Sequence, residues 1–223
     1  MRKKIWVYGQ PFSGKTTLAC ASPNHFVLST DGNAEYLTDS FKLIADEVKV
    51  EGRMTKRTFA WEVFKHEIEK LERKDKDYKT IILDLAEDTY EMCRLYMYDK
   101  LKISHESDDS FRAWDKVRTE YLSTMRRLMS LDYDIVLLSH EDTSKDITKK
   151  SGENITAIKP NLNDKVALKL AGMVAVVGRA VCDNGRYTLQ IKTDEVVFGG
   201  GRLGVSNVTV PLKWEEVEEL FKR

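Results

Sequence analysis

Residues 8–19 read YGQPFSGKTTLA, with two glycines, a proline, a lysine and two threonines set between an apolar run and a helical pattern. Within them Gly9-Gln10-Pro11-Phe12-Ser13-Gly14-Lys15-Thr16 fits G-x-x-x-x-G-K-[ST], the P-loop pattern. Gly9 and Gly14 permit backbone angles that a side chain forbids, so successive N–H groups can turn toward one point. A helix opening near Gly14 directs its positive dipole end to the same place. Lys15 supplies a full charge for the outer phosphates, and the Thr16 hydroxyl, with Thr17 beside it, suits Mg²⁺. The context agrees, because Lys4–Tyr8 reads as a short buried strand and residues 16–21 as a helix. These features predict that residues 9–17 hold a nucleoside triphosphate with Mg²⁺. No N-K-x-D for guanine is present, so ATP is the expected nucleotide.

The rest of the chain supports one α/β unit. Its 223 residues are enough to bury roughly 70% of the unfolded surface in a single domain. Apolar runs at residues 25–30, 80–84 and 134–139 predict three more buried strands, with Asp31-Gly32-Asn33 turning the chain after the first. Between them Trp61, Phe64, Ile68 and Leu71 recur at helical spacing. Helices are also predicted at about 88–102 and 110–130, the second carrying an apolar stripe of Trp114, Val117, Tyr121, Met125 and Leu128. Strands alternating with helices call for a mainly parallel sheet covered on both faces.

After His140 the character changes. Residues 141–160 are polar and aperiodic, and read as a long loop. Residues 173–181 and 187–192 flank Asn184-Gly185, a hairpin signal. Residues 199–204 read as a flexible glycine turn and 214–221 as a final helix, so a C-terminal hairpin extension is expected.

Charge and composition exclude some classes. The 36 basic residues balance 36 acidic ones, which argues against a nonspecific cationic DNA coat but permits a local basic groove. Cys20, Cys93 and Cys182 lack paired spacing and read as reduced thiols. No room for a signal peptide precedes the first strand, and no apolar run approaches the ~20 residues of a membrane helix. A cytoplasmic protein without a membrane partner is therefore expected.

Several residues could carry chemistry around a bound triphosphate. Asp84 ends an apolar strand, where a carboxylate can hold the Mg²⁺ water shell. Asp31, at the tip of the neighbouring strand, and Glu87, just past Asp84, are the two candidates for orienting or deprotonating water. His140 ends the fourth strand on the same sheet edge, within expected reach of the γ-phosphate.

The stretch GQPFSGKTTL (9–18) resembles the P-loop of RecA-type recombination ATPases. LSTDGN (28–33) resembles the strand end that carries their catalytic glutamate, which favours Asp31. LLSH (137–140) resembles the strand end where they keep a γ-phosphate-sensing glutamine, so 141–160 falls where they carry a DNA-binding loop. GGRLG (200–204) is similar to the K-x-R-x-G turn of DnaB-type hexameric helicases, with Gly200 in place of the lysine. Over nearly the whole chain the sequence resembles the small phage-encoded RecA-like ATPases that assist single-strand annealing, the Sak group. It has no counterpart of the amino-terminal oligomerisation segment of RecA.

That resemblance implies a RecA-like P-loop NTPase core over residues 1–223, acting on single-stranded DNA in phage recombination inside a bacterial host. It implies Lys145, Lys149 and Lys150 as DNA contacts and Arg202 as an arginine reaching the ATP site of a neighbouring subunit. A homo-oligomeric ring or filament, and a single-strand-binding protein as partner, follow from the same likeness. Two other classes remain. A small-molecule kinase would want an arginine-rich lid, whereas residues 141–160 hold lysines and no arginine. A nucleotide-dependent regulatory module would use the same loop without DNA.

Overall fold

Strands covered on both faces need near-continuous apolar sequence, and five such runs form the middle of one sheet. The computed structural model describes residues 2–74, 76–103, 110–144, 146–148, 152, 154–192, 194, 196–204 and 207–222, the side chains of 110–112 excepted. In chain order the elements begin with β1 (Lys4–Gly9), α1 (Lys15–Cys20) and β2 (His25–Ser29), then β3 (Phe41–Leu43), β4 (Glu47–Glu51) and β5 (Met54–Thr58). Next come α2 (Ala60–Arg73), β6 (Thr80–Asp84), α3 (Ala86–Leu101), α4 (Ser110–Ser130) and β7 (Asp134–Asp142). The last third holds β8 (Asp146–Thr148), β9 (Asn154–Thr156), β10 (Lys159–Pro160), α5 (Asp164–Ala171), β11 (Val176–Asp183) and β12 (Arg186–Ile191). It closes with β13 (Gly200–Gly201), β14 (Val208–Pro211) and α6 (Trp214–Leu220).

The main sheet runs β14-β12-β11-β1-β7-β6-β2-β3. From β11 to β3 every pairing is parallel, while β12 and β14 extend the sheet antiparallel. The expected α/β class, with a mostly parallel sheet between helices, is what the chain adopts. Alternation along β1 divides the core in two. Trp6 and Tyr8 face the layer of α2, α3, α4 and α5, whereas Ile5 and Val7 face α1 and α6. Trp6 is fully buried, and its indole Nε1 donates to Ser139 Oγ at 2.9 Å, as a buried indole requires. In α4 the stripe Val117, Tyr121, Met125 and Leu128 is buried, while Trp114 stays 36% exposed and meets Tyr98 edge-on.

Strand β7 lies between β1 and β6. That order brings Gly9, His140 and Asp84 to one carboxyl edge: Gly9 pairs with His140, and Asp84 with Leu138. The Asn184-Gly185 turn has both φ values positive, 48° and 78°, the combination that suits a two-residue hairpin.

Some expectations change. The stretch 141–160 is not one long loop: β7 continues to Asp142, β10 pairs antiparallel with its end, and β8 pairs antiparallel with β9. Gly200-Gly201 is not a free turn but pairs with Val176 and Val177 as β13. A side chain at Gly199 would come within 2.6 Å of the Lys192 carbonyl, so this glycine serves close packing. The hairpin β4–β5, the helix α5 and the strand β14 were not expected.

Candidate nucleotide site

The glycines of residues 9–16 are required by contact and by backbone. A Cβ on Gly9 would sit 2.3 Å from the Ala180 carbonyl oxygen and 2.8 Å from Ser13 Oγ. Gly14 has φ +84°, and a Cβ there would lie 2.9 Å from Leu212 Cδ2 and 3.2 Å from Tyr187 Cδ1. Phe12, at φ 62°, is 96% exposed at the tip of the loop, a conformation uncommon for a bulky residue. Gln10 and Ser13 are bridged by a backbone bond of 3.2 Å, and Pro11 opens the turn they close.

Lys15 is only 5% exposed, and its Nζ donates to the carbonyls of Gly9 (2.9 Å) and Gln10 (2.8 Å). Burial lowers its pKa, against the pull of the Asp84, Glu87 and Glu141 carboxylates. Thr16 Oγ1 donates to Asp84 Oδ2 at 3.0 Å. Burial pushes the Asp84 carboxyl up to about 6, with Asp31 and Glu87 adding to the rise and the Thr16 hydroxyl and Lys15 opposing it. Asp88 is raised as well, by burial first, while its Oδ2 accepts from Thr30 Oγ1 at 2.7 Å.

His140 and Glu87 form one unit. Glu87 Oε1 accepts from the His140 backbone N (2.6 Å) and lies 3.0 Å from Nδ1, and this bond raises the histidine pKa. The other oxygen, Glu87 Oε2, is buried without a hydrogen-bond partner, as is Ser13 Oγ in the loop. Two buried unsatisfied polar atoms at one edge are costly, and both are suited to a polar ligand.

Asp31 stands apart from this pattern. It is exposed, Oδ1 accepts from Ser29 Oγ (3.2 Å) and Asn33 N (3.0 Å), and Oδ2 accepts from Asn33 Nδ2 (2.6 Å). Arg202 stands at the opposite edge of the sheet. Its backbone N donates to the Ala175 carbonyl, its guanidinium to Gly172, and Ala175 itself pairs with Lys4 at the start of β1. The length of β1, at ~3.3 Å per residue or roughly 17 Å, separates it from the Gly9 end. Lys145, Lys149 and Lys150 lie outside the described residues.

The donor set fits a nucleotide with Mg²⁺. Among the described residues no three or more His, Cys, Asp or Glu side chains gather as a ready metal cage. Mg²⁺ does not ask for one, since it takes one or two protein oxygens and completes its shell with phosphate and water. Thr16 and Asp84 would hold it, and Lys15 with the loop N–H groups would hold the phosphates.

The sequence reading missed two neighbours of this edge. Arg179 grips Glu141 with two bonds of 2.6 and 2.9 Å, the Glu141 side chain being 1% exposed. Tyr187 and Leu212 press on Gly14. Neither has a local motif, because each contact joins segments far apart in the chain. A family model described as AAA domain matches residues 1–203. No curated protein matches the chain.

Proposed function

The chain belongs to the AAA domain family, and from that premise we propose that it is a Mg²⁺-dependent ATPase working on single-stranded DNA. The observation that carries the ATPase reading is the meeting of Lys15, Thr16 and Asp84 at one buried edge beneath a glycine loop. A lysine with little water around it attracts phosphate far more strongly than an exposed one. Bound Mg²⁺ would neutralise charge developing on the outer phosphates. Burial raises the Asp84 carboxyl to about 6 in the free protein, and a cation beside it would favour its charged form.

For water activation the geometry favours Glu87 over Asp31. One Glu87 oxygen is anchored by His140 while the other is buried and unpaired. Both Asp31 oxygens are engaged in its own turn. His140 would then contact phosphate and, through Glu87, hold the base in position.

Support for the DNA reading comes from the resemblance to phage annealing ATPases and from the linkage of residues 141–142 and 159–161, the two ends of the expected DNA-binding stretch, to the site. The His140 carbonyl accepts from Asn161 N at 2.9 Å, and β10 pairs with β7 just beyond His140. Lys145, Lys149 and Lys150 are the proposed phosphate contacts, and Arg202 the group given to a neighbouring subunit of a homo-oligomer. A single-strand-binding protein as partner and a cytoplasmic site in a bacterial host belong to the same proposal. Among the described residues no helix is long and apolar enough to cross a membrane. Phosphate release by the purified protein, with and without Mg²⁺ and with and without single-stranded DNA, tests both parts. Turnover that ignores DNA leaves an ATPase without this partner, and no Mg²⁺-dependent turnover removes the ATPase reading.

A further inference from the structure

The hairpin β11–β12 outruns the strand beside it. Tyr8 pairs with Arg179, so Ala180–Asp183 and their partners Arg186–Leu189 stand beyond the end of that pairing, alongside the loop of residues 9–16. On the loop side of this wall are Tyr187 and Leu212, the two side chains that crowd Gly14. They are tied together, since Leu212 N donates to the Tyr187 carbonyl at 3.1 Å. Tyr187 is nonetheless 46% exposed, and among the described residues its ring pairs with no other aromatic.

Sheet order says which part of a nucleotide reaches that wall. His140, Asp84 and Glu87 stand on or just after β7 and β6, on one side of β1, while β11 and β12 lie on the other. The reacting phosphate belongs with the carboxylates and Lys15. The phosphate chain therefore leads away from them, and its nucleoside end arrives at the hairpin. We propose that Tyr187, backed by Leu212, is the platform on which the base of the bound nucleotide stacks. This inference rests on the ATPase reading of the loop and adds the part of the site that holds the base. An aromatic ring beside an aliphatic side chain offers a π-face and apolar contact but no donor–acceptor code, so the platform recognises a base as a flat ring.

The test compares two ligands that share a triphosphate and differ in the base: a non-hydrolysable ATP analogue and inorganic tripolyphosphate. Both are titrated with Mg²⁺ by calorimetry into wild type, Tyr187→Ala, Tyr187→Leu and Lys15→Ala. Base–aromatic stacking of ~1–3 kcal/mol corresponds to a loss of about 5- to 150-fold. The expected result is a loss in that range for the analogue with both Tyr187 variants, with tripolyphosphate affinity unchanged. Leucine keeps contact with Gly14 while removing the ring, so Tyr187→Leu decides the matter should Tyr187→Ala not fold. Equal losses for both ligands would make Tyr187 a support of the loop and overturn the inference. Wild-type analogue affinity in the Tyr187 variants, with Lys15→Ala weakened for both ligands, overturns the platform alone. Binding of both ligands that is absent in wild type or indifferent to Lys15→Ala overturns the nucleotide reading and the platform with it.

Discussion

Asp84→Asn should make the protein more stable while abolishing its turnover. Asp84 is 3% exposed, and burial lifts its carboxyl from an ordinary 3.8 to about 6. Between those values the native state holds a proton that the unfolded chain releases. Wild-type stability therefore falls as pH rises through this window, and the full penalty stands above about 6. At 1.36 kcal/mol per pH unit the interval corresponds to about 3 kcal/mol. Asparagine does not titrate and can still accept from Thr16 Oγ1, so it escapes this penalty. Part of the gain is returned because Lys15 loses one of its three carboxylate neighbours, leaving Glu87 and Glu141. A net stabilisation of about 1–3 kcal/mol at pH 7.5 is expected, or about 2–12 °C in Tm for a chain of this size. Urea denaturation between pH 4 and pH 8 measures it. The difference between variant and wild type should shrink as pH falls from about 6 toward 3.8 and level off only below that, where wild-type Asp84 is protonated in both states. A less stable variant at pH 7.5, or a difference independent of pH, would refute the reasoning.

Glu87→Gln should retain ATP binding and lose ~10²–10⁴-fold in turnover, the usual loss for a general base, while Asp31→Asn stays mild; the opposite ranking in steady-state phosphate release would return the role to Asp31. Replacing Lys145, Lys149 and Lys150 together by alanine should weaken single-stranded DNA binding in anisotropy titrations and reduce the salt slope by about 2 for three phosphate contacts, and unchanged binding would move the contact elsewhere. Arg202→Ala should bind ATP normally yet turn over poorly, and mixing it with Lys15→Ala should restore activity at interfaces that pair an intact loop with an intact arginine. Absence of rescue, together with turnover independent of protein concentration, would leave Arg202 as the structural contact it makes with Gly172.

Residues that are apolar because both faces of a strand are covered are easy to read, and β1, β2, β6 and β7 are of this kind. The strands β4 and β5 are the opposite case. Their side chains are almost all exposed, with Val48, Val50 and Met54 scattered among charges, so no buried face impresses a period on them. The helix α5 spans eight residues, too few for a stripe, although Asn163 accepting from Lys165 N is a cap signal that could have marked its start. The strands β8, β9, β10 and β13 are two or three residues long, defined by pairing rather than composition. Within the site the same division holds. Lys15 and Thr16 belong to a local motif, and Asp84 and His140 end apolar runs, so a parallel sheet was enough to place them together. The Glu87–His140 bond, the Arg179–Glu141 pair and the Tyr187 contact with Gly14 arise from tertiary neighbours, and nothing in their local sequence announces them. Arg202 was noticed for its glycine-rich surroundings, and those glycines turn out to pair with β11 at the far edge of the sheet.

The measurement that bears most directly on the central claim is ATP turnover by wild type and Lys15→Ala, each assayed with Mg²⁺ and with excess chelator. Lys15 reaches the loop carbonyls of Gly9 and Gln10 rather than any core contact, so the variant should keep its circular dichroism spectrum. Turnover that requires Mg²⁺ in wild type and vanishes in folded Lys15→Ala is the predicted result. Hydrolysis by folded Lys15→Ala at the wild-type rate would contradict it.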